Sequence, residues 1–297
     1  MKIAYIGFGE AAYNIMKGWA AEGLTNLVAF DANRDHPKKG ELIRRRAKEV
    51  GVILTDTLES AYEGADFIFN NTSASCALNI AKQVIPKLKE GQVYLDLNAT
   101  SPQTKESMDE IPRGKGVYFV DVAVMGSIAA KGHKTKMYMS GVQEGVQKFY
   151  ATFSSYGMNL HPLDAPAGGA SAIKMFKSVF SKGLPQLFLE SMLPAAKYGV
   201  LDEYMKNIDN TFKGRTVSEY ADAVLYRTVI HAERRSHEMA EVVSTIQSIG
   251  LDASMSRATE ARLKLMVADD IPSLIPADAV MGYRKVIDLI LKKLSEV

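Results

Sequence analysis

The segment from Lys2 to Ala12, KIAYIGFGEAA, constrains this chain more than any other. Lys2 to Gly7 is a short apolar run with the length of a buried strand. It passes without a break into Gly7-Phe8-Gly9-Glu10-Ala11-Ala12, a G-x-G-x-x-A. An Ala-rich stretch, Glu10 to Glu22, follows and stops at Gly23, a helix-ending residue. In a strand–loop–helix of this kind Gly7 permits the tight turn and Gly9 lets the backbone approach a pyrophosphate. Small Ala12 allows helix and strand to pack closely. The free N–H groups at the helix start point at the anion. Asp31 ends the next apolar run, 19 residues after Ala12, where an acid hydrogen-bonds the ribose hydroxyls of a dinucleotide. These residues predict a dinucleotide site. The carboxylate of Asp31 favours NAD by repelling a 2′-phosphate. Arg34, Lys38 and Lys39 follow closely and keep NADP open as the alternative, although such a cluster also suits a solvated helix start.

The rest of the first half continues the alternation. Apolar runs at 26–31, 51–55, 65–71, 92–97, 116–124 and 136–141 read as strands, and helical patterns cover 38–50 and 75–88. Alternation of this kind implies a mostly parallel sheet covered on both faces. The run at 136–141 is expected to close the series. HPLDAPAGGA, at 161–170, marks a change. A long helix is expected from about Ala170 to Tyr198, kinked or broken by Pro185 and Pro194. Further helices are expected at 201–207, 216–249, 254–268 and 276–294. At 297 residues the chain has the length of about two domains. We expect an α/β Rossmann-type domain over 1–162, binding NAD(P), and an all-α substrate and dimerisation domain over 163–297.

Charge narrows the function classes. Lys plus Arg is 36 against 34 for Asp plus Glu, a net +2, which argues against a dedicated nucleic-acid binder. Arg44-Arg45-Arg46 lies among acids and reads as a solvated face. A single cysteine, Cys76, rules out an internal disulfide, fits a reducing, cytoplasmic compartment, and reads as a small buried residue. No uncharged apolar stretch has the length of a membrane span, and the first ten residues do not read as a secretory leader. His237-Glu238 begins like H-E-x-x-H, but position 241 is Glu, so no metal site is expected.

Several motifs together resemble the β-hydroxyacid dehydrogenase family, which includes 3-hydroxyisobutyrate and 6-phosphogluconate dehydrogenases. They are the glycine loop with Asn14 and Gly23, and Asp96-Leu97-Asn98-Ala99-Thr100-Ser101-Pro102. Asp121-Val122-Ala123-Val124-Met125-Gly126-Ser127 is similar to the family's D-x-P-V-S-G-G, and continues through Ala130-Lys131-Gly132 to Met137-Tyr138-Met139-Ser140-Gly141. Gly168-Gly169-Ala170-Ser171-Ala172-Ile173-Lys174 is similar to the family's G-x-G-x-x-x-K, which carries the catalytic lysine. The resemblance covers residues 1 to about 182. Beyond it, Glu233 to Glu241 is more like a divergent, phosphogluconate-dehydrogenase-like subset. The substrate loops depart from the family. Met125 stands for a serine, Ser127 for a glycine, Asn98-Ala99 for a serine–threonine pair, Ser178 for an asparagine, and Lys177 for the histidine of decarboxylating enzymes.

The resemblance implies an NAD(P)-dependent dehydrogenase or reductase acting on CH–OH, and a homodimer. Its substrate is a small β-hydroxy acid or the carbonyl form. Lys174 is the expected general acid/base, since burial in a cleft would bring its pKa toward neutrality. Ser178, one turn on, is placed to bond Lys174 or a substrate oxygen. Asn98, Met125, Gly126 and Ser127 are the expected substrate contacts. Asn71 and Thr72 are expected beside the nicotinamide. Arg234 or Arg235 could reach an anionic substrate, but a solvated helix face accounts for them better. Two alternatives stand: an imine reductase of the same fold, in which this lysine is usually replaced, and a non-catalytic dinucleotide sensor.

Overall fold

The computed structural model describes residues 1–276 and 279–296. The chain divides into two compact units, 1–179 and 180–297. The division falls inside a helix, beyond the turn-rich segment at 161–170 where the composition changes.

The first unit is built on one eight-stranded sheet. In chain order its elements are β1 Ile3–Ile6, α1 Glu10–Ala21, β2 Leu27–Phe30, α2 Gly40–Val50, β3 Ile53–Leu54, α3 Leu58–Tyr62, β4 Phe67–Asn70 and α4 Ala74–Val84. Then follow β5 Val93–Asp96, α5 Pro102–Asp109, β6 Tyr118–Val124, α6 Ile128–Lys131, β7 Met137–Gly141, α7 Gln143–Ser154 and β8 Leu160–Pro162. The spatial order is β3-β2-β1-β4-β5-β6-β7-β8, parallel throughout except for β6 against β7. The expected α/β domain with a mostly parallel sheet is present.

The apolar runs form strands because both faces of the sheet are buried. Along β1, Ile3 and Tyr5 join one core cluster, while Ala4 and Ile6 join the other. The first cluster packs aromatics from α1, β4 and α7, with Phe69 and Phe153 in ring contact with each other and with both Trp19 and Phe149. The second cluster includes Tyr94 and Phe119.

The structure corrects several expectations. The series does not close at 136–141, because β8 adds an eighth strand parallel to β7. Pro162 is tolerated there because β8 is the edge of the sheet, where a missing donor faces no neighbour. Cys76 is exposed rather than buried. Pro185 and Pro194 do not break α8, which runs from Gly169 to Lys197. Each removes one backbone donor, while the turns on either side keep theirs.

In the second unit the expected helix over 216–249 is two, α10 Val217–Ile230 and α11 Ala232–Ser248, preceded by α9 Leu201–Phe212. His231 leaves helical geometry at φ −107°, ψ 20°, after the β-branched run Thr228-Val229-Ile230. α12 is Ser254–Ala268, as expected, and α13 is Tyr283–Ser295 rather than starting at Pro276. Residues 277 and 278 of that expectation lie outside the described ones. The unit has its own apolar clusters, one around Tyr226, Val229, Ile271 and Val286 and one around Val243, Ile246 and Ala253. None of the described helices is long and apolar enough to cross a membrane.

Candidate active site

β1 lies between β2 and β4, so the strand order reverses at β1 and β4. In open α/β sheets ligands bind at the carboxyl ends of the strands beside such a reversal. The β1–α1 and β4–α4 loops meet there. Gly7 has φ +86°, and a Cβ on it would sit 2.6 Å from the Asn71 carbonyl oxygen. Only glycine fits, both for the left-handed backbone and for the approach of the neighbouring loop. Gly9 differs: it caps α1 in an extended conformation, and a Cβ there would meet nothing within 4 Å. The space over the first turn of α1 is open, as an incoming phosphate requires.

A cavity of about 320 Å³ opens at this point, lined by Gly7, Gly9, Asp31, Asn33, Asn71, Thr72 and Cys76. Asp31 holds the turn beside it: Oδ2 accepts the Phe8 N–H and Oδ1 accepts the Asn33 N–H, each at 2.8 Å. The Phe8 side chain and Ala12 are fully buried in the core, so they shape the loop from below. The nearest of the cations that follow Asp31, Arg34, is engaged elsewhere. The Arg34 guanidinium donates to Asp35, Asp56 and the Thr55 carbonyl, and these carboxylates raise its pKa. The backbone N–H groups of Lys38 and Lys39 donate to His36. The Cys76 thiol is held below its ordinary pKa by hydrogen bonds from Ser73 and Ser75.

A second cavity, of about 450 Å³, shares the Asn71-Thr72-Ser73 rim. Glu10 and Ala11 line this one. Asn98, Gly126, Ser127 and Lys174 line it too, so the structure brings four of the expected substrate and catalytic residues to one place. Asn98 is fixed by donating its side-chain amide to Asp96 Oδ2 at 2.9 Å and to the Asn70 carbonyl at 3.2 Å. Ser127 caps α6 by accepting the Ala130 N–H at 3.3 Å. Lys174 is half-buried, on the second turn of α8, and its amine makes no hydrogen bond or ion pair among the described residues. Its pKa is lowered, first by burial and then by the positive charge of Lys105, with the Asp121 carboxylate acting against both.

Two expected contacts are not in the cavity wall. Met125 extends the β6–β7 pairing through its N–H to Lys136. The Ser178 hydroxyl donates to the Lys174 backbone carbonyl at 3.3 Å, not to the amine. Arg234 pairs with Glu238 one turn on, and Arg235 donates to Thr228 at 2.7 Å. Among the described residues no group of three or more His, Cys, Asp or Glu side chains is placed to hold a metal ion.

The sequence did not reveal what lies beneath the second cavity. Asp96 and Asp121 sit opposite each other on β5 and β6, and both are fully buried. Lys105, from α5, is also fully buried. Its Nζ is 2.5 Å from Asp96 Oδ1, 2.8 Å from the Asp96 carbonyl and 3.2 Å from Asp121 Oδ1. Asp121 also accepts the Ser171 N–H at 2.9 Å and its hydroxyl at 2.7 Å. The signal was present as two acids in buried apolar runs, Asp96 at the end of VYLD and Asp121 in the middle of YFVDVAV. Two carboxylates buried side by side require a cation.

Residues 2–164 match the NAD binding domain of 6-phosphogluconate dehydrogenase, and 195–266 match a domain of unknown function, DUF1932. A conserved hypothetical protein from Sinorhizobium meliloti 1021 superposes with a TM-score of 0.66 at 29% identity, covering 99% of this chain and 96% of that one. A second conserved protein of unknown function, described as structurally similar to 3-hydroxyacid dehydrogenases, gives 0.63 at 26% identity, covering 90% and 98%. An imine reductase from Myxococcus stipitatus in complex with NAD⁺ gives 0.71 at 15% identity, covering 97% and 98%, a likeness of fold. Matched over more than half its length by that NAD-binding domain, the chain has an NAD(P)-binding dehydrogenase fold and belongs to the β-hydroxyacid dehydrogenase-like family.

Proposed function

We propose that this protein is an NAD-linked oxidoreductase that interconverts a small β-hydroxy acid and its carbonyl form, with Lys174 as general acid/base. The observation that carries this reading is Lys174 itself: an unpaired amine of lowered pKa, facing a polar cavity beside the dinucleotide loop. The first cavity suits a dinucleotide. Gly7, Gly9 and the α1 N-terminus would hold the pyrophosphate, and Asp31 the ribose hydroxyls. Asp31, together with an Arg34 already engaged by carboxylates, favours NAD over NADP.

A bound nicotinamide would accept the hydride from the carbinol carbon, or return it in reduction. Lys174 takes the hydroxyl proton as the C–O bond becomes C=O, and gives it back in the reverse direction. With its amide N–H groups given to Asp96 and the Asn70 carbonyl, Asn98 would offer its Oδ1 as an acceptor to the substrate, and the backbone N–H groups of Gly126 and Ser127 would meet a carboxylate. Oxidation needs the neutral amine, so its rate rises as pH climbs through the lowered pKa of Lys174. Reduction needs the ammonium, so its rate falls over the same interval.

The test is nicotinamide absorbance against short hydroxy acids, aldehyde acids and cyclic imines, with NAD and with NADP. We expect turnover of a hydroxy acid or its carbonyl form. Lys174→Ala should lower the rate by roughly 10²–10⁴-fold, the usual contribution of a positioned acid/base, while cofactor binding persists. Turnover of imines alone, or a Lys174→Ala variant of unchanged rate, overturns the reading. Dinucleotide binding without any turnover supports a sensor instead.

A further inference from the structure

We propose that Lys105 is a positioning residue of this site: held between Asp96 and Asp121, it locks the Asn98 loop to the first turn of α8 and sets the charge that Lys174 faces. The proposal rests on Lys174 being the acid/base.

The geometry is a continuous chain of contacts from one wall of the second cavity to another. Asn98 lines the cavity. Its side chain and its N–H both donate to Asp96, at 2.9 and 3.2 Å. Asp96 also accepts the Asn70 amide at 2.8 Å, which ties in the end of β4. Lys105 joins Asp96 to Asp121: its ammonium donates to the Asp96 carbonyl and to Asp96 Oδ1, and forms an ion pair with Asp121 Oδ1 at 3.2 Å. Asp121 then accepts the N–H and hydroxyl of Ser171, and Ser140 accepts the Ala170 N–H at 2.9 Å. These are among the first N–H groups of α8, which have no partner inside the helix. Lys174 is one turn beyond Ser171 on the same face.

Charges reach Lys174 from several elements. Lys105 on α5 opposes its protonation and Asp121 on β6 favours it. Glu10 on α1 lines the same cavity, Asp96 lies behind Lys105, Glu106 of α5 lies against Gly168, and Lys177 is the next lysine on α8 itself. Of these only Lys105 is a buried cation bridging two strands. Removing its charge leaves Asp121 uncompensated beside Lys174; removing Asp121's charge leaves Lys105 unopposed. The two substitutions therefore push Lys174 in opposite directions. A merely structural role for the cluster would loosen the site in both cases, with no such opposition.

The experiment is competitive acetylation of the intact chain with acetic anhydride across pH, reading Lys174 by mass spectrometry. It needs no substrate. In Lys105→Gln the Lys174 midpoint should move to higher pH, in Asp121→Asn to lower pH, and in Lys105→Arg it should stay near wild type. Circular dichroism and thermal unfolding verify each fold. If Lys105→Gln does not fold, Asp121→Asn and Lys105→Arg decide. Midpoints that do not move, or that move the same way in Lys105→Gln and Asp121→Asn, overturn the proposal. Because the labelling does not depend on turnover, a chain that turns over no substrate counts against the assigned function alone. Unmoved midpoints in an active enzyme count against Lys105 alone.

Discussion

At the residue scale, two glycines in one loop serve different partners. Gly7 is required by the protein: its backbone is left-handed and its Cα faces the Asn71 carbonyl too closely for any side chain. Gly9 meets nothing, so what it leaves open is room for something outside the chain. The two substitutions to alanine should therefore separate. Gly7→Ala should lower stability by about 1–3 kcal/mol through backbone strain, with the Asn71 contact adding to it. Gly9→Ala should stay within about 0.5 kcal/mol of wild type, as surface changes usually do. Yet it should bind dinucleotide more weakly, because its methyl points into the cavity. Chemical denaturation and cofactor titration measure both. A Gly9→Ala protein that binds dinucleotide at wild-type affinity would show that the space over α1 is not where the pyrophosphate lies.

At the scale of elements, helix starts are held by side chains distant in sequence. The first turn of α8 leans on Asp121 and Ser140. α12 has Ala253 at its N-cap, a residue with no capping group. The Glu190 carboxylate supplies the acceptors instead, taking the Met255 and Ser256 N–H groups at 2.7 Å each. Glu190→Gln removes one acceptor and the negative charge at a helix N-terminus. It should destabilise the second unit by roughly 1–2 kcal/mol. The loss should appear in denaturant unfolding followed by a probe in α11 or α12. An unchanged midpoint would mean that water caps α12 equally well. Such long-range caps also explain what local pattern missed. The strands up to β7 were legible because doubly buried strands are continuous apolar runs, such as FIFN in β4. β8 was not, since three residues ending in Pro162 carry no period. The break at His231 was not, because the helical pattern runs through it on both sides.

At the scale of the whole molecule, the part of the site legible without a family resemblance is the part set by local backbone, and Asn98, Gly126, Ser127 and Lys174 were legible only through the resemblance. Gly7–Ala12 and Asp31 announce themselves because a glycine turn feeding a helix start is local backbone geometry. Lys105, Asp96 and Asp121 meet only through strand register and the packing of α5, which no spacing in sequence encodes. The two units each carry their own apolar clusters, so a ligand of the first should act on that unit first. A dinucleotide held by the Gly7 loop and Asp31 binds only the folded first unit. At a concentration 100 times its dissociation constant it should stabilise that unit by about 2.7 kcal/mol. Hydrogen exchange should show the protection first in 1–179, around Gly7–Ala12, Asp31 and Asn71–Ser73. At equal concentration NAD should stabilise more than NADP, since Asp31 meets the 2′-phosphate with like charge and Arg34 is committed to Asp35 and Asp56. Asp31→Ala should narrow that gap mainly by weakening NAD. A larger effect of NADP on the wild-type chain would overturn the role given to Asp31. Protection confined to 180–297 would overturn the assignment of the dinucleotide to the first unit altogether.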